Sequence, residues 1–305
     1  MRAVRIEGGG IAGQVLAREL SARGVPCDLI EKKTFPRPKV CGGVLQADSW
    51  EYLREAFSLP ADVAAAELPT ISHFWRGRRL STIRFRKPMV FAPRFELDAK
   101  LSESRGGEFT PESDPLVVRA SGAPPDGDWV GLEADGPPVK GLEMHYNKSC
   151  YLGLCESGAP TSHCAVLARR SALAGKGDPR DWIERESGVR LLNKPRGTAS
   201  IRYGYGPNDL AVGDAKLTTH PFLGLGMRHA IESARLMARC IAEDRVGDYS
   251  SEHRRAFSRY HRASSLLEAA YDSPLRFLLG AFLVPSIFEP AYRWVHQGPS
   301  PCQRS

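Results

Sequence analysis

Residues 212–230 read "VGDAKLTTHPFLGLGMRHA". An apolar run ends in Gly213–Asp214, and a proline and two glycines follow at 221, 224 and 226. Then comes "MRHAIESARLMARCIAE", with Met227, Ala230, Ile231, Ala234, Met237, Ala238 and Ile241 on one helical stripe. The pattern predicts a strand over "DLAVGDA", a tight backbone turn and a buried amphipathic helix. Asp214 at the strand tip is suited to accept hydrogen bonds from a polyol. The helix start offers unpaired N–H groups and the positive end of the helix dipole to developing negative charge.

A second loop of this type opens the chain. "AVRIEGGGIAGQVLARELSARGVPCDLIEKK" reads as strand, glycine turn, helix and strand. Gly8 permits the tight turn, Gly10 lets a pyrophosphate approach the backbone, and Gly13 lets helix pack on strand. Glu31 lies 18 positions after Gly13, where an acid binds ribose hydroxyls, and Lys32 follows it. One position conflicts with this reading: Glu7 sits beside the phosphate site, where repulsion must be relieved by turning away or by a cation such as Arg5. A single dinucleotide loop would serve a nicotinamide enzyme. Two such loops suit the two ends of FAD.

The sequence resembles the FAD-dependent oxidoreductases of the p-hydroxybenzoate hydroxylase fold, and is most similar among them to the geranylgeranyl reductases. Five segments carry the likeness: "GGGIAG" with Glu31, "FPRPKVCGGVLQADSWEYL", "APRFELDAKL", "VVRASG" and "VGDA…HPFLGLGM". It implies an α/β chain with a Rossmann-type FAD-binding domain, an inserted antiparallel β-sheet substrate domain and C-terminal helices. The boundaries expected are 1–70, 88–125 and 198–248 for FAD, 71–87 and 126–197 for the sheet, and 249–305 for the helical segment. Cofactor contacts implied are Arg37, Lys39, Gly42 and Arg94, with Gly213, Asp214, Pro221, Gly224, Gly226 and Met227 from the second loop. The likeness also brings Cys41 to the reacting face; the residues alone equally allow a thiol packed in a turn. His220, just before Pro221, reads either as a proton donor near the ring or as a loop histidine facing solvent.

Departures sharpen the reading. Arg119 stands where the family has Asp, Lys216 replaces a small residue, and "SESRGGEFTPESDPL" at 102–116 replaces a small β-meander. No Trp-x-Trp-x-Ile-Pro stretch is present, which speaks against a flavin halogenase. "ASGAPPDGD" lacks the Asp–Gly–x–x–Ser pattern of NADPH-using aromatic hydroxylases, which speaks against direct use of NAD(P)H; the electron donor expected is NAD(P)H or an external reductant.

Between 129 and 170 four runs, "WVGLEA", "GLEMHY", "CYLGLCE" and "HCAVLARR", predict an antiparallel sheet roofing the flavin. In the third, Tyr151, Gly153 and Cys155 alternate with Leu152, Leu154 and Glu156, so one face lines a pocket while the other packs. His145 and Tyr146 are weaker candidates for chemistry from this sheet. "ISHFWRGRRLSTIRF" reads as a hairpin turning at Gly77. The 305 residues carry 42 Lys+Arg against 35 Asp+Glu. No zinc, homeodomain or aromatic RNA-binding motif accompanies the basic clusters, which excludes nucleic acid as a partner and leaves a solvated surface.

Seven scattered cysteines without a CxxC pair, and Arg2 and Arg5 at the very start, fit a cytoplasmic protein with no metal site. The apolar "FLLGAFLVPSIF" at 277–288 is too short to span a bilayer. It reads as a core-covering helix or as a greasy lip for peripheral membrane contact. The function expected is reduction of a C=C bond in a hydrophobic, isoprenoid- or lipid-like small molecule. The alternatives are hydroxylation of an aromatic or polyketide-like ring, and flavin binding without catalysis.

Overall fold

A computed structural model describes residues 2–103, 114–147, 150–197 and 201–272. The chain opens with β1 (Val4–Glu7), α1 (Ile11–Ala22) and β2 (Cys27–Ile30). Gly8 takes a φ of +118°, and a side chain there would come within 2.5 Å of the Ala120 carbonyl. Gly13 faces the Gly8 carbonyl so closely that a Cβ would sit 1.9 Å from it. These two glycines let strand, turn and helix collapse together. Val15, Leu16 and Leu20 of α1 are then fully buried against Val4 and Ile6 of β1.

Next come β3 (Val44–Leu45), α2 (Ala47–Phe57), β4 (Ala66–Trp75), β5 (Arg78–Phe91), α3 (Arg94–Glu103) and β6 (Leu116–Arg119). β6 returns to β1, and the three-stranded sheet in the order β2-β1-β6 is parallel throughout. The run around Ala211 joins this sheet only by an isolated bridge to Arg119, so the strand expected over "DLAVGDA" is reduced to one pairing. The physical cause lies at its start: the carbonyls of Asn208 and Asp209 turn to the Lys216 ammonium, 3.4 and 3.0 Å away, not to a strand partner.

The remaining elements are β7 (Trp129–Gly136), β8 (Leu142–Tyr146), β9 (Cys150–Glu156), β10 (Ser162–Arg169), α4 (Arg170–Leu173), α5 (Pro179–Ser187) and β11 (Arg196–Gly197). β12 (Gly204–Tyr205) and β13 (Leu217–Thr218) form a two-stranded ribbon. α6 (Gly226–Ala242) and α7 (Tyr249–Asp272) follow. The large sheet has eight strands in the order β11-β7-β10-β9-β8-β4-β5-β3. It is antiparallel except at β4–β8, which pair in parallel and join the hairpin to the later strands.

Period-two alternation gives this sheet two apolar faces. Leu152 and Leu154 pack with Trp182 and Ile183 of α5. Tyr151, Gly153 and Cys155 turn the other way, into a cavity. The hairpin tip carries Arg76, Arg78 and Arg79 into solvent. Among the described residues no helix is long and apolar enough to cross a membrane. The 277–288 stretch and most of the expected C-terminal helical segment lie outside the described residues, as does most of 102–116.

Candidate functional site

The N-terminal loop is built as an anion cradle. α1 begins at Gly10 with no side-chain cap, so its first N–H groups are left for another acceptor. Among the described residues beyond its chain neighbours, only the Lys39 ammonium lies within 4 Å of where a Gly10 side chain would start, at 3.9 Å. Glu31 directly follows β2 and accepts from Gly9 N and Lys33 N, both at 2.9 Å, and pairs with Arg37 at 3.3 Å. Burial raises its carboxyl, but the two backbone N–H groups and the guanidinium outweigh that and hold it below the usual glutamate range. The group is therefore a fixed, ionised acceptor. Lys32 is exposed.

The conflict at Glu7 is settled by its register partner. Glu7 lies opposite Arg119 in the parallel sheet, and their charged ends meet at 3.9 Å near the surface. Arg5 is engaged elsewhere, with Asp28 at 3.8 Å. Two departures from the family pattern thus neutralise each other. Lys216 is also accounted for: its buried ammonium reaches Ser250 Oγ at 2.9 Å and ties the loop before Ala211 to α7.

Lys39, Arg94 and Asp214 face a single cavity of about 300 Å³. Arg94 opens α3 and makes a bidentate contact to Asp98, with both bonds at 2.9 Å. The Arg94 guanidinium, and then burial, draw the Lys39 ammonium below its ordinary pKa, while Asp214 and Asp98 oppose this. Burial lifts the Asp214 carboxyl above the usual aspartate value, against the pull of Lys39 and Arg94. Asp214 sits on a 3-10 turn, Gly213–Ala215, whose first N–H donates to Ser233 Oγ at 2.9 Å. Gly10, Cys41, Gly42, Pro221, Gly224, Gly226 and Met227 line the same cavity. α6 starts there without a side-chain cap, and Gln46 donates to Gly224 O at 2.8 Å, pinning the turn.

Not every residue singled out in the sequence lines the cavity. Gly8, Gly13 and Gly213 support it from behind, and Glu31, Lys32 and Arg37 stand off it. His220 is neither in the lining nor in solvent: it is 1% exposed, edge-on to Trp129 at 5.4 Å and tilted over Tyr203 at 4.7 Å. Burial, helped by Arg169, pushes its pKa down to about 3, so the ring is neutral packing at physiological pH.

Cys41 does line the cavity, and its backbone carbonyl accepts from His163 Nε2 at 2.8 Å, which fastens the segment to β10. Cys150 and Cys164 face the α5 side, and burial pushes both thiols up to about 12. Tyr146 lines the cavity. His145 points to the opposite face, stacked on Phe74 with centroids 4.5 Å apart and bonded to Glu143.

Sequence reading missed His73 and Tyr203, which also line the cavity. For His73 the signal was available: it alternates in phase with Ile71 on β4, and Ile71 shares the cavity wall.

No protein-family model matches the sequence, and no curated protein matches it. Solved structures do. The flavin-dependent brominase Bmp2 superposes with a TM-score of 0.74 at 16% identity, over 97% of this chain and 93% of that one. FqzB gives 0.73 at 15%, covering 98% and 96%. Pseudomonas aeruginosa PqsL, in complex with 2-aminobenzoylacetate, gives 0.69 at 17%, covering 94% and 99%. At such identity the likeness is one of fold. The chain has the p-hydroxybenzoate hydroxylase-like α/β fold.

Proposed function

We propose that this chain is an FAD-dependent oxidoreductase that hydroxylates an apolar small molecule. The observation that carries the reading is one cavity shared by two uncapped helix starts, a charged trio and an apolar sheet wall. The residues fit FAD: the Gly10 turn for its pyrophosphate, Glu31 for a ribose, and Asp214 for its polyol chain. When bound, FAD supplies the two-electron chemistry and the oxygen activation that side chains lack. The protein's own part is to orient both ligands, to exclude water with the sheet wall and to place positive potential from α6.

Hydroxylation stands ahead of C=C reduction because PqsL is described as a probable FAD-dependent monooxygenase and Bmp2 as a brominase. The missing Trp-x-Trp-x-Ile-Pro stretch argues against halogenation here. C=C reduction, by likeness to the geranylgeranyl reductases, is the second reading. Peripheral membrane contact through 277–288 is a further proposal, read by co-sedimentation with anionic vesicles.

The test is reconstitution of purified protein with FAD, followed by turnover of candidate aromatic and isoprenoid-like substrates, aerobically with NAD(P)H and anaerobically with dithionite. A yellow protein that consumes O2 in proportion to hydroxylated product supports hydroxylation. Anaerobic turnover to a saturated product supports reduction instead. Protein that takes up no FAD overturns both.

A further inference from the structure

The outer face of the large sheet is covered by a helix at one end and exposed at the other. Strand register fixes which side chains share that face. Leu152 of β9 lies opposite His145 of β8, His145 opposite Phe74 of β4, and Phe74 opposite Arg79 of β5. The next row runs Leu154, Glu143, Ser72 and Thr82. At the β9 end the rows pack against Trp182 and Ile183 of α5. At the β5 end Arg79, Thr82, Arg84 and Arg86 are exposed, while Ile83 and Phe85 alternate with them into the core.

Positive charge gathers at the exposed end. The hairpin β4–β5 carries six cations, Arg76, Arg78, Arg79, Arg84, Arg86 and Lys87, against one acid, Glu67, in a chain of net charge +7. Lys87 is taken by Asp48 of α2 at 3.2 Å, and Glu143 is bonded to His145 at 3.0 Å. Among the described residues the five arginines have no carboxylate partner, whereas Arg5, Arg119, Arg202 and Arg245 each meet one elsewhere. Guanidinium forks held on two paired strands repel one another and match carboxylates, which they bind in bidentate fashion. The complement of this face is therefore an acidic surface. Among the described residues of the hairpin Leu80 is the one exposed large apolar side chain, and Ser72 and Thr82 present hydroxyls bonded to each other at 2.9 Å. A face so poor in apolar anchors suits a protein partner and has little to insert into a bilayer.

The inner face of the same strands lines the cavity through Ile71 and Met89. Ile71 directly follows Thr70, which pairs with Arg84. A protein seated on the arginines is thus one strand layer from the cavity.

We propose that the outer face of β4–β5 is the docking surface for an acidic electron-carrier protein. This partner rests on the proposed function. Each hydroxylation takes two electrons, two protons and O2, and returns hydroxylated product and water. The chain lacks the Asp–Gly–x–x–Ser pattern of direct NADPH users, so a carrier supplies the electrons and is itself oxidised, while water supplies the protons.

The experiment titrates FAD-loaded protein into a dye-labelled plant-type [2Fe–2S] ferredoxin, an acidic carrier, and reads fluorescence anisotropy at about 20 and about 300 mM NaCl. Binding is expected at low salt and about tenfold weaker at high salt. Arg84→Glu/Arg86→Glu is expected to weaken it at least about tenfold at low salt. Arg255→Glu/Arg262→Glu makes the same charge change at exposed positions of α7 and is expected to stay within about twofold of the parent. In the hairpin variant, flavin bleaching by reduced ferredoxin should slow in step with binding, while bleaching by dithionite stays as in the parent. Where that variant does not fold, Arg84→Gln/Arg86→Gln is read against the same control. Absence of binding at low salt, or equal weakening in the hairpin and α7 variants, overturns the docking surface. Ferredoxin that binds without bleaching the flavin overturns the carrier. Co-sedimentation with phosphatidylglycerol-containing vesicles that the hairpin variant alone loses overturns a protein partner in favour of a lipid surface. Protein that takes up no FAD overturns the proposed function itself; FAD-loaded protein whose ferredoxin binding ignores the hairpin arginines overturns only the docking surface.

Discussion

Asp214 is held between opposing influences, with burial favouring its neutral form and Lys39 and Arg94 favouring the anion. A polyol that donates to it adds to the second side. Hydrogen bonds to a charged group contribute roughly 1.5–3 kcal/mol, about ten- to a hundredfold in affinity. Asp214→Ala is therefore expected to weaken FAD binding by that factor, measured by titrating apo protein that keeps its circular dichroism; unchanged affinity would place the carboxylate away from the ligand. Cys41→Ser separates position from chemistry. Because Cys41 lines the cavity and its carbonyl is fastened by His163, the variant is expected to keep FAD while turnover of the true substrate falls. Turnover equal to the parent's would leave Cys41 a packing residue. The Glu7–Arg119 pair is a smaller effect, since both side chains are about half exposed. Surface pairs contribute about 0–1 kcal/mol, so a double-mutant cycle on unfolding should return a coupling in that range.

Helices α6 and α7 are joined by a contact that no sequence period announces. His229 of α6 and His253 of α7 share a hydrogen bond, Nε2 to Nε2 at 2.9 Å, in a fully buried setting with Phe257, Tyr249 and Tyr205 around them. Burial pushes His229 down to about 3, and burial, then His229, Lys216 and Arg254, push His253 down to about 2. The sign follows from linkage: both are neutral when folded, whereas the unfolded chain protonates near pH 6.5. Their stabilisation is thus complete above that pH and drains away as pH falls toward the folded values. Each histidine contributes up to about 1.4 kcal/mol per pH unit in that window. Urea unfolding between pH 7 and 4.5 should show stability falling, and His253→Gln should flatten the slope; a parallel slope in the variant would exclude the pair as its source. The amphipathic stripe of α6, the hairpin around Gly77 and the alternation of β9 were legible because each is a local period that one face must bury. The histidine pair, the burial of His220 and the β4–β8 pairing were not, because residues distant in sequence create them.

For the molecule as a whole, the glycine loops and second-loop turn were readable, since tight turns and bare helix starts impose particular residues at particular spacings. What the sequence left open was the substrate side, because an apolar wall reads the same whether it encloses a core or a ligand. The placement of the cavity has a thermodynamic consequence. Its lining comes from the parallel-sheet loops, from α6 and from the large sheet, so a ligand filling it contacts all three. Anything that binds only the folded state stabilises it by RT ln(1 + [L]/Kd), about 2.7 kcal/mol at a hundredfold excess over Kd. For a chain of this size each kcal/mol moves the melting temperature by roughly 2–4 °C. Saturating FAD is therefore expected to raise the midpoint by about 5–10 °C, and to move one cooperative transition, followed by both tryptophan fluorescence and far-UV circular dichroism. In a variant with the other four tryptophans replaced by phenylalanine, Trp182 on α5, packed against β9, reports on the large sheet. If FAD shifted the far-UV transition while the tryptophan transition stayed in place, the two sheets would melt independently. The shared cavity would then not couple them, and the sheet wall would have no part in holding the cofactor side together.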